Sequence, residues 1–218
     1  MKKALLALPL LASVLAPVSS VSAHGDYESK FCATDAQKAQ AYEFVTKTRP
    51  GKPLAVGARA LNIIEGTFAS GLVGSDLTVG TLGTAEKFRE IWASVEKWGA
   101  KTKVGIYWSA NNKHTFSFPS YVPMSLPDDG SGMQDIYADD GKGIHSHVVR
   151  DDVKGIFATR LIIGEHATRT VTFYDSTGDL IWGIIASEAN GKGEKAAIDG
   201  FEETWKLIAS MPQICAPH

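Results

Sequence analysis

Cysteine is scarce in this chain of 218 residues, with only Cys32 and Cys215 and no CxxC pair, which argues against a thiol redox centre or a cysteine-rich zinc site. Nucleotide and hydrolase signatures are missing as well. No GxSxG, HExxH, Walker-type or Rossmann glycine pattern occurs, so the common routes to acyl transfer, zinc proteolysis and dinucleotide binding have no sequence support. Charge of one sign is never concentrated: 22 Lys and Arg balance 24 Asp and Glu, and the mixture runs along the whole chain. A nucleic-acid or acidic-membrane partner is therefore not indicated. The chain has a single long apolar run, ALLALPLLASVLA, near the start, and proline interrupts it. It is too short for a comfortable membrane span.

That run has another reading. Lys2 and Lys3 precede it, and Val21-Ser22-Ala23 supplies small residues for cleavage, so residues 1–23 read as a secretory signal. The mature protein would begin at His24, whose free amine and imidazole together could chelate copper. About 195 residues would remain, one or at most two domains by length, enough to bury a sizeable core. Outside the cytoplasm, Cys32 and Cys215 are expected to form a disulfide that closes nearly the whole chain. Residues 24–49 read as an N-terminal helical extension and 50–218 as a single α+β domain.

Periodicity supports that class. Residues 34–48 read as a helix capped by Thr34 or Asp35 and stopped at Arg49-Pro50-Gly51, and 54–72 as two short glycine-interrupted helices. In TAEKFREIWASVEKWG, residues Phe88, Ile91, Trp92 and Val95 recur at helical spacing before Gly99. KVGIYWS and HTFSF flank Ala-Asn-Asn-Lys as a hairpin, and a Pro/Gly/Asp-rich loop follows over 119–133. Five strand candidates come next, QDIYA, GIHSHVVR, GIFATRLII, TRTVTFYD and DLIWGIIA, then a helix from about Glu194 to Met211. Helices, a run of antiparallel strands and a closing helix make an α+β layout.

The chemistry concentrates at GIHSHVVR. Strand residues two apart share a face, so His145 and His147 should point to the same side as Val149, with Ser146 turned away. Two imidazoles on one side can converge on a metal ion, with a carboxylate such as Asp151, or serve a haem. The acidic pairs Asp128-Asp129, Asp139-Asp140 and Asp151-Asp152 sit in or beside expected turns and read as solvated turn carboxylates.

The run Phe88-xxx-Trp92-xx-Val95-xx-Trp98-Gly99, then Leu126-Pro127, then Gly143-Ile144-His145-Ser146-His147 resembles, in order and spacing, segments of the ChuX/HutX haem-utilisation proteins. GIFATRLIIGEHATRTVTFYDSTGDLIWGII follows in register, including Phe173, Gly178 and Leu180, and PLAVGARALNIIEGTFASGL is similar to that family's N-terminal helical pair. The resemblance spans about residues 50–211. It implies an antiparallel sheet flanked by helices, often paired into a saddle-shaped homodimer. It also implies haem held in an apolar cleft for storage or delivery in iron acquisition, without catalysis. The implied ligand that matches here is His147. The family's second functional histidine, on the first hairpin strand, has no counterpart in Val104-Gly105-Ile106-Tyr107-Trp108, so the second ligand is Tyr107 or His145. Lys142, Arg150, Arg160 and Arg169 are candidate partners for the haem propionates, and Ile106, Phe116, Phe118, Ile144, Val148, Phe173 and Trp182 for its apolar wall. Members of the family are cytoplasmic, whereas the leader here points to a periplasmic or secreted haem carrier, store or scavenger. Two alternatives remain: a zinc or copper protein using His145 and His147, and a haem-modifying enzyme.

Overall fold

The computed structural model describes residues 32–110 and 113–215. The expected signal segment 1–23 and His24 lie outside the described residues, as do Asn111 and Asn112 of the hairpin turn.

The chain enters through α1 (Asp35–Glu43). Thr34 and Gln37 form a reciprocal capping box there: Thr34 Oγ1 accepts from the Gln37 backbone N–H while Gln37 Oε1 accepts from that of Thr34. A π-helical turn, Phe44–Thr48, extends α1 until Pro50, whose ring cannot continue a helix. Two short helices follow, α2 (Leu54–Leu61), closed by Asn62 in the left-handed region, and α3 (Glu65–Ser70). The next element was not anticipated from sequence. TVGTL forms strand β1 (Thr78–Leu82), a five-residue edge strand whose glycine hides any apolar alternation. A side chain at Gly80 would collide with the Phe157 ring beneath it, so the position demands glycine for a close approach.

Helix α4 (Ala85–Glu96) is capped by Thr84 and buries Phe88, Ile91, Trp92 and Val95, the stripe its spacing predicts. The hairpin β2 (Lys103–Ala110) and β3 (His114–Tyr121) follows as expected. The segment predicted as loop is partly ordered: β3 runs to Tyr121, and Met124–Ser125 form a two-residue strand β4. Strands β5 (Met133–Tyr137), β6 (His145–Val149), β7 (Gly155–Ile163), β8 (His166–Tyr174) and β9 (Leu180–Ser187) precede the last helix, α5 (Lys195–Ser210).

All pairings between these strands are antiparallel. Six strands make one sheet in the order β1-β7-β8-β9-β2-β3, and β4-β5-β6 make a smaller one. The central strands of the large sheet are covered on both faces, which is why β7 and β9 read as nearly continuous apolar runs. On one face Ile156, Val171, Phe173, Trp182 and Ile184 pack with Phe88 and Trp92 of α4, Phe201 and Trp205 of α5, and Ile136 and Val148 of the small sheet. On the other, Tyr107, Phe157, Tyr174 and Leu180 pack with Phe44, Leu54, Phe68 and Leu72 from the N-terminal helices. Ala41, Phe44 and Val45 thus share a core with Tyr107, Phe157 and Tyr174 of the large sheet. The expected disulfide is present: Cys32 is joined to Cys215, with Cα atoms 5.3 Å apart. The α+β expectation holds.

Candidate functional site

The small sheet presents the histidines. Strands β5 and β6 fold back about Gly141, with Asp139, Asp140 and Gly141 all at positive φ in the turn between them. This turn sets the register that pairs Tyr137 with His145, Asp135 with His147, and Met133 with Val149. Directly opposed residues share a face. Val148 and Ile136 point into the core, while His145, His147 and Val149 are exposed, the alternation that the sequence implies.

On that outer face the side chains of the two adjacent pairs are in contact. The Tyr137 and His145 rings stack, with centroids 4.1 Å apart and planes at 21°. The His145 ring meets His147 edge-on at 4.5 Å. His147 Nδ1 lies 2.5 Å from Asp135 Oδ1, with the two side chains 51% and 33% exposed. With Nδ1 bonded to a carboxylate, Nε2 is the ring nitrogen left with a lone pair to offer. Beyond His147 the exposed pair Met133 and Val149 adds apolar surface. Tyr137 also joins Val122, Met124, Leu126 and Lys101 in lining a cleft of about 410 Å³, within the range of about 300–1,000 Å³ usual for small-molecule sites.

The other sequence candidates sit elsewhere. Tyr107 does not join the histidines. It is 3% exposed on the face of the large sheet covered by the N-terminal helices, and its hydroxyl donates to Glu65 Oε1 at 3.2 Å. Burial, reinforced by the Glu65 charge, pushes its pKa well up, so it stays a neutral phenol. Arg150 is buried and donates to both carboxylate oxygens of Asp128, which also receives Arg89. That hydrogen bond, with a backbone N–H from Gly130, holds the Asp128 carboxyl down at about 2. Arg160 and Arg169 both donate to Glu202 of α5, and Arg160 lies over the Trp205 ring at 4.6 Å. These three arginines tie the structure together and reach a ligand only by giving up those partners. Lys142 is exposed, three residues before His145. Of the expected apolar wall, Ile106, Val148, Phe173 and Trp182 are interior and Ile144 is half-buried. Phe116 and Phe118 are exposed, with Trp108 stacked on Phe116, along the β3 edge.

The zinc or copper alternative is not supported. Among the described residues no group of three or more His, Cys, Asp or Glu side chains is placed to hold a metal ion. Asp151 sits in the turn after β6, one member of the predicted ligand set that the histidines lack.

Asp135 and Tyr137 were not picked out from sequence, although a signal for them existed. Once QDIYA and GIHSHVVR are taken as neighbouring antiparallel strands turning at Gly141, residues equidistant from that glycine face each other, and both partners of the histidines follow.

No protein-family model and no curated protein matches the sequence. Solved structures do match in shape. ChuX superposes with a TM-score of 0.59 at 16% identity, covering 78% of this chain and 99% of that one. The haem-binding protein PhuS of Pseudomonas aeruginosa, in its holo form, matches at 0.60 and 15% identity over 85% of this chain and 49% of its own. ChuS, a haem oxygenase of Escherichia coli, matches at 0.56 and 12% identity over 79% of this chain and 50% of its own. The chain therefore has the ChuX/HutX-like fold of the haem-utilisation proteins.

Proposed function

We propose that this protein binds haem outside the cytoplasm, as a carrier, store or scavenger in iron acquisition, with His147 as the axial ligand and His145 as the second imidazole. The observation that carries the reading is the exposed His147 imidazole, engaged at Nδ1 and flanked on its face by Met133 and Val149 and by the His145–Tyr137 stack. This donor set fits an iron porphyrin better than a bare ion. It offers imidazole nitrogen to iron and apolar and aromatic surface to a macrocycle, and among the described residues no group of three ligands is placed for a small ion. Structures of similar shape that carry haem-binding names support the same choice. The leader-like residues 1–23 and the Cys32–Cys215 disulfide support an extracytoplasmic location.

A hemin titration of the oxidised protein is expected to show a saturable Soret shift at one equivalent per chain. His147→Ala is expected to weaken it about tenfold or more, ~1.4 kcal/mol per decade. An unchanged titration in that variant overturns the assignment. Because ChuS is called a haem oxygenase, a haem-degrading role is the second reading. Intact haem recovered after incubation with reductant and oxygen supports carriage, and ring-opened products support degradation.

A homodimer is part of the proposal. Strand β3 closes one end of the large sheet with a row of exposed residues, among them Phe116 and Phe118. An apolar edge of this kind invites strand pairing with a second copy. Light scattering is expected to give twice the chain mass, falling to one chain with Phe116→Lys and Phe118→Lys. A monomer at the outset removes that part of the reading.

A further inference from the structure

We infer that Asp135 is a positioning residue for His147, fixing its tautomer so that Nε2 is presented as a ligand before anything binds; the inference rests on the haem reading for its purpose but not for its geometry. The two residues face each other across β5 and β6, and Nδ1 to Oδ1 is 2.5 Å. A carboxylate only accepts, so the neutral imidazole must carry its proton on Nδ1. Free histidine has no such constraint. The neighbouring rings crowd His147: His145 abuts it edge-on, and Tyr137, opposite His145 on β5, stacks on His145. Asp135 is itself held on the central strand of the small sheet, between β4 and β6. A carboxylate on the remote nitrogen also raises the basicity of the ligating one, which strengthens bonding to ferric more than ferrous iron.

The test has one arm without haem and one with it. In the apo protein at alkaline pH, nitrogen NMR of the neutral His147 ring is expected to show the Nδ1–H tautomer. Asp135→Ala should release it to a mixture, and Asp135→Asn, which keeps an acceptor oxygen, should preserve it. In the hemin complex, Asp135→Ala is expected to lose about 10–100-fold in affinity. Both variants should lower the iron–histidine stretching frequency and raise the reduction potential, because both remove the charge. A wild-type Nε2–H tautomer, or variants with unchanged frequency and potential, overturns the role of Asp135. Hemin binding indifferent to His147→Ala overturns the haem reading alone, leaving the tautomer result to stand or fall by itself.

Discussion

Replacing Cys32 and Cys215 together with serine is expected to lower the stability of the protein by about 5 kcal/mol, and its melting temperature by roughly 10–20 °C. The bond joins residues 183 apart in sequence, so in the unfolded chain it closes nearly the whole described length into one loop. Loop-closure entropy grows only as the logarithm of length, yet at this separation it approaches the top of the usual range. The folded ends add a second reason. Cys32 directly precedes α1, which contributes Ala41, Phe44 and Val45 to the core through its last turn and π-helical tail. Cys215 ends a segment that docks on the edge strand β1: the Ile214 N–H donates to Gly80 O, and the Gly80 N–H donates to Gln213 Oε1. Without the cross-link, the two ends keep their packing and hydrogen bonds, among them the Ala33 N–H to Ser70 Oγ, but lose the covalent tie between them, and α1 should fray first. Calorimetry of the wild type, the double variant and the wild type with reductant checks this. The last two should coincide, and a fall below about 1 kcal/mol would mean that the reduced chain keeps its ends together by packing alone.

The sequence made some of this visible and hid the rest for identifiable reasons. Helix α4 was readable because four large apolar residues fall on one stripe with a threonine cap before them and glycine after. Strands β7 to β9 were readable because β-branched and aromatic runs are separated by Asp- and Gly-rich turns. At one of these, Asp175 Oδ1 accepts from the Thr177 and Asp179 N–H groups and Gly178 sits at φ 84°. Strand β1 escaped because its pairing with β7, not its own pattern, makes it a strand. The same limit applied at the site. Alternation along β6 put His145 and His147 on one face, a statement local to five residues, and the structure shows that face exposed. Asp135, Tyr137 and the commitments of Arg150, Arg160 and Arg169 depend on which strand or helix lies alongside. Tyr107 shows the limit most plainly. It is an aromatic residue in a hairpin that could face either side of the large sheet, and only the packing of α2 and α3 against its face makes it a core hydrogen-bond donor to Glu65.

Glu65 is expected to make the protein less stable as pH rises through neutrality, by about 3 kcal/mol between pH 4.5 and 8. Its side chain is 1% exposed at the start of α3, so nothing screens the cost of ionising it. Oε1 accepts from the Tyr107 and Tyr174 hydroxyls, at 3.2 Å each, while Oε2 is buried without a well-formed hydrogen bond. Burial outweighs the two tyrosines, the Ser109 hydroxyl and the Arg59 charge, and raises the carboxyl from its ordinary 4.5 to about 7. A folded-state value above the unfolded one means that the folded protein holds one more proton between them. Stability from this group is therefore complete below pH 4.5 and is lost as pH climbs through 7. Glu65→Gln keeps an acceptor oxygen for both tyrosines and cannot ionise. Its absolute stability also includes the cost of burying an amide, so the informative quantity is the difference from wild type at each pH. Urea titrations at pH 4.5, 6, 7 and 8 should show that difference moving in the variant's favour by about 3 kcal/mol across the series, mostly between pH 5 and 7.5. Parallel profiles would mean that Glu65 keeps an ordinary carboxylate pKa in the fold, which requires water or a polar partner at Oε2.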